Sequence, residues 1–94
     1  MIVRILGEGQ YAVDGEHADL LNALDSGLEQ AVESGDETTF RSALADLLAQ
    51  VRTLGVKLPD DALEPSDAVL PDEDTALDDV RSLLSESDEG LIPG

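Results

Sequence analysis

The 94-residue sequence contains no cysteine, only two aromatic residues and only five basic residues. Without cysteine the chain forms no disulfide and offers no thiolate as a nucleophile or zinc ligand. No apolar run approaches the roughly 18 residues that a membrane-crossing helix needs, and the apolar run of residues 1–6 is too short for a signal peptide. We therefore expect a soluble, cytoplasmic protein without direct membrane insertion.

The scarcity of basic residues leaves the chain strongly acidic, with 22 acidic residues and a net charge of −17. Binding to a nucleic-acid duplex depends on lysine and arginine neutralising phosphates, and attachment to anionic lipid requires basic segments. The sequence therefore predicts no nucleic-acid partner and no direct lipid partner. A basic protein surface is the partner that this charge favours, although acidity also serves solubility alone.

The residue types that usually carry catalysis are few and dispersed. His17 is the only histidine and has no neighbouring nucleophile, and no serine lies in a Gly-x-Ser-x-Gly elbow. The glycines of residues 7–9 are followed by a strand pattern and lack a phosphate-binding lysine, which indicates a hairpin turn. The acidic run of residues 72–74 lacks the glycine that an EF-hand loop needs at its sixth position. We therefore predict no catalytic residue, no cofactor and no metal site.

The first half of the predicted single domain, residues 1–94, contains two hairpins. Strand-forming residues on both sides of a glycine turn predict a two-stranded β-hairpin over residues 1–13. Apolar residues at helical spacing predict a helical hairpin over residues 16–55, with Gly35 ending its first helix and Asp36 capping its second. Because this connection is short, we expect the two helices to be antiparallel neighbours.

Each predicted helix has one apolar face within about 120° of arc. The apolar face of the first helix is Leu20, Leu21, Leu24, Leu28, Ala31 and Val32, and its polar face is Asn22, Asp25, Ser26, Glu29 and Glu33. The apolar face of the second helix is Phe40, Leu44, Leu47, Leu48, Val51 and Leu54. We expect these faces to pack on each other. Gly27 is an internal weakness of about 1 kcal/mol relative to alanine.

The second half of the chain is less regular. Residues 56–74 contain three prolines and many acids, which predicts an extended strap lying across the helical pair; whether the strap adds a third strand is open. Thr75 and Asp78 form a weak capping box for a short third helix over residues 75–85, and residues 86–94 read as a mobile tail. The predicted fold class is α+β, mainly α: a two-stranded hairpin on an antiparallel helical hairpin, with the strap and the third helix.

Several short segments form a pattern through their order and spacing. They are MIVRILGEGQY (1–11), the Leu-x-x-Leu helix that begins near Leu21, ESGD (33–36) before Phe40, LGVKLP (54–59), PSD (65–67), LP (70–71) and EGLIPG (89–94). Together they resemble the PspA-associated (PspAA) family of bacterial phage-shock systems. No single segment is diagnostic, but the resemblance covers nearly the whole chain.

The resemblance implies a bacterial, cytoplasmic domain that acts with PspA, a coiled-coil protein that binds stressed membrane. It also implies a non-catalytic role, with no catalytic residues to transfer to this chain. The expected function is therefore that of an accessory or adaptor protein. Its expected partner is PspA or a related component of the phage-shock envelope-stress response, through which it would be membrane-peripheral.

Two surfaces are candidates for the contact with that partner. One is the edge of the hairpin of residues 2–13, whose unpaired backbone groups accept a further strand. The other is the part of the helical apolar faces that the strap leaves uncovered, with acidic rims that steer a basic coiled coil. Arg4, Tyr11 and Phe40 are the candidate interface residues, and ordinary packing is the alternative for all three.

Two other functions stay open at this point. The chain is alternatively a self-associating structural domain that acts only as a homodimer. It is alternatively a weak divalent-cation sensor built from the carboxylates of residues 60–67, although a solvated acidic surface explains the same residues.

Overall fold

A computed structural model describes residues 1–62 and 64–85 and places the helices on one face of a four-stranded sheet. In chain order the elements are β1 (Ile2–Ile5), β2 (Gly9–Ala12), a 3-10 turn (Gly15–His17), α1 (Ala18–Ser34), α2 (Glu37–Leu54), β3 (Val56–Lys57), β4 (Ala68–Leu70) and α3 (Leu77–Ser85). The predicted α+β class, mainly α, is confirmed. The predicted tail of residues 86–94 lies outside the described residues.

The N-terminal hairpin forms as predicted and presents two different faces. Gly7 adopts a φ of 80°, which favours glycine at this turn. The antiparallel register pairs Val3 with Tyr11 and Arg4 with Gln10. Because successive side chains of a strand point to opposite faces, Val3 and Tyr11 face the helices, whereas Arg4 and Gln10 face away from them.

The proline-containing strap supplies both outer strands of the sheet. β3 pairs antiparallel with β2, and β4 pairs parallel with β1, which gives the order β3-β2-β1-β4. Since β3 and β4 lie at opposite edges, the connection, described at residues 58–62 and 64–67, crosses the sheet. It crosses the outer face, where Gln10 Nε2 donates to the Glu64 carbonyl at 2.6 Å and to Ser66 Oγ at 2.9 Å.

The predicted position of the strap over the helical pair is therefore wrong for its part from β3 to β4, whereas Glu73 near its end does contact α2 through Arg41 and Arg52. The hairpin alone leaves backbone N–H and C=O groups unpaired on both edges, and such groups are strongly driven to find partners. Two short segments of the strap satisfy them. An isolated two-stranded hairpin is also marginally stable, so two further strands stabilise it as part of a sheet.

The connection between α1 and α2 forms as the sequence predicts. Gly35 has a φ of 73°, and its N–H donates to the carbonyls of Ala31 and Val32 at the end of α1. Asp36 then caps α2, because its Oδ1 accepts from the backbone N–H of Thr39 at 3.1 Å. This hydrogen bond lowers the pKa of the Asp36 carboxyl group.

The buried face of α1 is rotated relative to the prediction. Leu20, placed on the apolar face, is 45% exposed, and Asp25, placed on the polar face, is only 3% exposed. Asp25 and Val32 lie seven residues apart, on one side of the helix. The third helix packs there, since Arg81 Nη2 donates to the Val32 carbonyl at 3.0 Å. The prediction considered only the contact between α1 and α2, whereas α3 also packs against α1.

The third helix begins at Leu77, and its predicted capping box is wrong. Thr75 Oγ1 donates to Asp72 Oδ1 at 2.8 Å instead of accepting from the backbone of Asp78. The same Asp72 oxygen accepts from the backbone N–H of Asp74 at 3.2 Å. Asp72 thus organises a local turn, as aspartate commonly does, and Thr75 belongs to that turn.

One hydrophobic core lies between the sheet and the helices. Its largest fully buried side chains are Val3, Ile5, Leu21, Leu28, Val32, Phe40, Leu44, Leu47, Leu48, Val51 and Leu70. Both central strands, β4 and the two long helices contribute to it. The sheet and the helical pair therefore bury each other's apolar faces, as two packed layers do.

Candidate interaction surface

The three candidate interface residues do not lie together. Phe40 is fully buried in the core, and Tyr11 is 8% exposed with its ring under the helices. Only Arg4 presents its side chain to solvent, on the outer face of the sheet. For Tyr11 and Phe40 the structure shows ordinary core packing, the alternative stated from the sequence.

Arg4 lies between two exposed apolar side chains at the β1–β4 side of the sheet. Its register partner in β4 is Val69, and Leu6 directly follows β1, with its N–H bonded to the Leu70 carbonyl at 2.9 Å. Leu6 and Val69 are each 44% exposed. Within the described ranges, Arg4 makes no side-chain hydrogen bond or ion pair. This patch is small, with two apolar side chains and one cation.

The predicted strand-docking edge of the hairpin is occupied by the chain itself. β2 is covered by β3, in the register of Tyr11 with Lys57, and β1 is covered by β4. Asp67 reinforces the second contact, because its Oδ2 accepts from the Ile2 backbone N–H at 2.7 Å. The hairpin edge as a docking site is therefore wrong, and the new outer edges are strands of only two and three residues.

Arg52 of α2 organises the most strongly perturbed group of ionisable side chains. Its guanidinium donates to both Glu8 oxygens at 2.8–3.1 Å and to Glu73 Oε1 at 2.7 Å. The Tyr11 hydroxyl donates to Glu8 Oε2 at 2.6 Å. These hydrogen bonds, that of Arg52 first, lower the pKa of Glu8 to about 2. The bond to the Glu8 carboxylate raises the pKa of Tyr11.

This network joins three parts of the fold. Glu8 is in the β1–β2 turn, Arg52 is in α2, and Glu73 precedes α3. Arg41 adds to it, since its Nη1 donates to the carbonyls of Glu73 and Thr75 at 2.9 Å each. Arg41 also lies 4.0 Å from Glu37, so both arginines of α2 pair with acidic side chains. The arrangement stabilises the fold. Both oxygens of Glu8 accept hydrogen bonds, so its carboxylate is not free to act as a base.

The described residues show no gathered ligand set for a cation. In residues 1–62 and 64–85, no three His, Asp or Glu side chains come together so as to hold a metal ion. His17 is half-buried beside Glu16, with 3.6 Å between Nε2 and Oε1. In the same part of the chain, none of the helices combines the length and apolar character needed to cross a bilayer.

A concave surface lies between α1 and α2, and we call it the outer groove. It has a volume of about 600 Å³ and is lined by Ala23, Leu24, Gly27, Gln30, Thr38, Thr39, Ser42, Ala43 and Asp46. These residues are exposed or half-buried and flank the buried faces of both helices. The groove therefore opens on the side of the helical pair away from the sheet.

Of the helical apolar faces predicted from the sequence as a candidate surface, only Leu24 lines the outer groove. Leu24 and Ala43 are its half-buried apolar residues. The sequence analysis named Leu24 on an apolar face and Gly27 as an internal weakness, but it did not name Ala43 and did not predict a groove. The available signal was the row of small residues, Ala23, Gly27 and Ala43, beside the leucine stripes, because small side chains there leave a depression between two helices.

The comparisons with known proteins agree with the resemblance seen in the sequence. The family model described as PspA-associated protein, PspAA, matches residues 1–94, the whole length of the chain. No curated protein and no solved structure matches it. A single short motif would match only part of the chain, whereas this match covers every residue of the chain. The chain belongs to the PspAA family of PspA-associated proteins.

Proposed function

We propose that the chain is a non-catalytic accessory or adaptor protein that binds PspA, or a related component of the bacterial phage-shock envelope-stress response. The observation that carries this proposal is the family match over residues 1–94. The family is described by its association with PspA.

The chemistry of the described residues supports a role in binding another protein and not a role in catalysis. Glu8 and Arg52, the groups with the largest pKa shifts, hydrogen-bond each other and hold the fold together. A catalytic carboxylate usually has its pKa raised towards neutrality so that it exchanges protons, whereas that of Glu8 is lowered to about 2.

The charge supports a partner with a basic surface and a cytoplasmic location. A net charge of −17 on 94 residues repels anionic lipid headgroups and attracts lysine and arginine clusters. We therefore place the protein in the cytoplasm, at the membrane only when its partner is there. Fractionation of cells should show it in the soluble fraction without PspA, and in the membrane fraction only when PspA is present.

Direct binding tests the proposal. The purified chain is mixed with PspA from the same bacterium, and the mixture is compared with each component by size-exclusion chromatography and by titration calorimetry. We expect a complex at low ionic strength that weakens as salt is added, because salt screens exposed charges. Failure of the two proteins to associate at low salt would remove the proposal. Sedimentation of the chain alone measures the homodimer alternative in the same buffer.

A further inference from the structure

Gly27 is a helix-interior glycine that the described fold does not require. It lies in the middle of α1, where glycine is less favourable than alanine. A Cβ atom added there meets nothing within 4 Å, and the φ of Gly27 is not positive. In the part of the chain that the structure describes, neither packing nor backbone conformation explains the glycine. A glycine of this kind permits another backbone to approach closely.

The outer groove around Gly27 has the shape that receives a helix. Its walls are two antiparallel helices, and it extends over about two turns of each, or roughly 10–12 Å at 1.5 Å per residue. Small side chains at Ala23, Gly27 and Ala43 leave space between the walls for the ridge of a third helix. Leu20, 45% exposed, lies one turn before Leu24 and continues the apolar surface.

The charge at the groove indicates which side chains should flank the apolar ridge of a helix that binds there. Asp46 is an exposed residue of the groove wall. Among the described residues its carboxylate makes no hydrogen bond or ion pair. Lysine or arginine beside the apolar ridge of an entering helix would pair with it. A second copy of this chain would instead bring a further charge of −17, which opposes self-association through this groove.

We infer that the outer groove is the docking site for an amphipathic helix of PspA, one whose apolar ridge is flanked by lysine or arginine. This inference rests on the proposed function and specifies the surface that performs it. The apolar ridge contacts Leu20, Leu24 and Ala43 and passes close to Gly27, and the basic flank faces Asp46. This is the helix-in-groove mode of recognition.

Filling the groove is the first test. Gly27→Leu places a large side chain in the space that the helix would occupy, and Ser26→Leu makes the same addition at the neighbouring exposed residue on another side of α1. We expect Gly27→Leu to weaken PspA binding roughly tenfold or more, as blocking the centre of an interface does. Ser26→Leu should leave the affinity within about twofold. Thermal melts of both variants confirm that the fold is retained.

Charge reversal is the second test and does not depend on filling a cavity. Asp46→Lys and Glu33→Lys change the net charge equally, but only Asp46 lines the groove. We expect Asp46→Lys to weaken binding roughly fivefold or more and to reduce its salt dependence, with a clearly smaller effect of Glu33→Lys. Equal effects of the two substitutions would show that only the overall charge matters and would overturn the inference.

The absence of cysteine allows the occupant to be identified directly. Ser42→Cys, in the groove wall, creates a single attachment site for a photo-crosslinker. The crosslinked PspA segment should show apolar residues three and four apart with adjacent lysine or arginine. A segment without that pattern would overturn the inference.

The outcomes for the proposed function and for the groove are distinguishable. If the wild-type chain does not bind PspA, both are removed. If the wild-type chain binds PspA and the groove variants bind as their controls do, the groove is excluded while the proposed function stands. If the chain self-associates and Gly27→Leu abolishes that association, the occupant is a second copy, and the inference is wrong.

Discussion

The two sides of the α1–α2 pair differ in how they use glycine. At the end of α2, on the side of the sheet, a Cβ at Gly55 would lie 2.7 Å from the Val51 carbonyl oxygen and 3.0 Å from Tyr11 Cβ. On the outer side, a Cβ at Gly27 meets nothing within 4 Å. The inner glycine is required by close packing within the chain. The outer one leaves space that the described chain does not use.

The same contrast appears in the charges of α2. Arg52 is engaged by two carboxylates and joins the helix to the hairpin turn and to the loop before α3. Asp46, less than two turns earlier, has no such partner among the described residues. At Gly55 and Arg52 the inner side of the helical pair uses its space and its charge in contacts within the chain. The outer side would offer a partner free space at Gly27 and an unpaired charge at Asp46.

The largest expected effect is on the inner side. Phe40→Ala removes a fully buried ring from the core and should reduce the free energy of unfolding by about 3–5 kcal/mol. Urea denaturation measures this. If Phe40 instead served mainly at an interface, the variant would remain nearly as stable as the wild type while losing partner binding, and the contrast between the two sides would fail at this position.

Gly55→Ala tests the close approach of α2 to the sheet. The added methyl group would contact the backbone at Val51 and the side chains of Tyr11 and Val13. Because the backbone must shift to accept it, we expect a loss of about 1–3 kcal/mol in the free energy of unfolding. Thermal and urea unfolding of the variant give the value. An unchanged stability would show that the inner packing is looser than the described distances imply.

The Glu8–Arg52 pair lies on the inner side, and the lowered pKa of Glu8 predicts how the free energy of unfolding depends on pH. The pKa of Glu8 is lowered from 4.5 to about 2, so its stabilising effect is fully present above pH 4.5 and is lost as the pH falls towards 2. Both side chains are partly exposed, so we expect about 1–2 kcal/mol from this effect. The difference in unfolding free energy between wild type and Glu8→Gln should shrink over that range.

A matched control separates this pair from the general effect of protonating a very acidic chain. Glu37→Gln makes the same change of charge at a carboxylate whose oxygen is 4.0 Å from Arg41 Nε in an exposed pair. Exposed pairs of this kind contribute little, so its difference from wild type should be small at every pH. A Glu8→Gln difference that stayed constant from neutral pH to pH 2 would contradict the lowered pKa.

The smallest expected effect lies on the outer side and has the opposite sign. Gly27→Ala should raise the free energy of unfolding by about 0.5–1 kcal/mol, because alanine favours the helix and its methyl group meets no atom within 4 Å. Differential scanning calorimetry should show a higher Tm. Destabilisation would mean that the space at Gly27 is already filled, and the contrast with Gly55 would disappear.

Much of the fold could be predicted from the sequence because it depends on local patterns. Gly35 and Asp36 mark a short helical connection through their own backbone and capping preferences, and the structure confirms it. Leu20 and Asp25 were assigned to the wrong sides of α1, and the prediction did not include α3, which also packs against that helix. The periodicity of one helix contains no information on which neighbours will cover it.

The strap shows the same limit for the sheet and for the candidate site. Val56-Lys57 and residues 68–70 are too short to be recognised as strands on their own, and they become strands only because β2 and β1 offer unpaired edges. Tyr11 and Phe40 are the only aromatic residues of the chain, but aromatic character does not distinguish a core residue from an interface residue. Burial does, and burial requires the assembled layers.

The N-terminal hairpin, the two long helices, the acidic character and the family resemblance all follow from the amino-acid sequence, because they depend on neighbouring residues or on composition. The tertiary structure decided that the strap completes the sheet, that the Glu8–Arg52 pair forms, and that an open groove remains on the outer side of the helices. These features join residues that are distant along the chain, and such contacts exist only once the layers have packed.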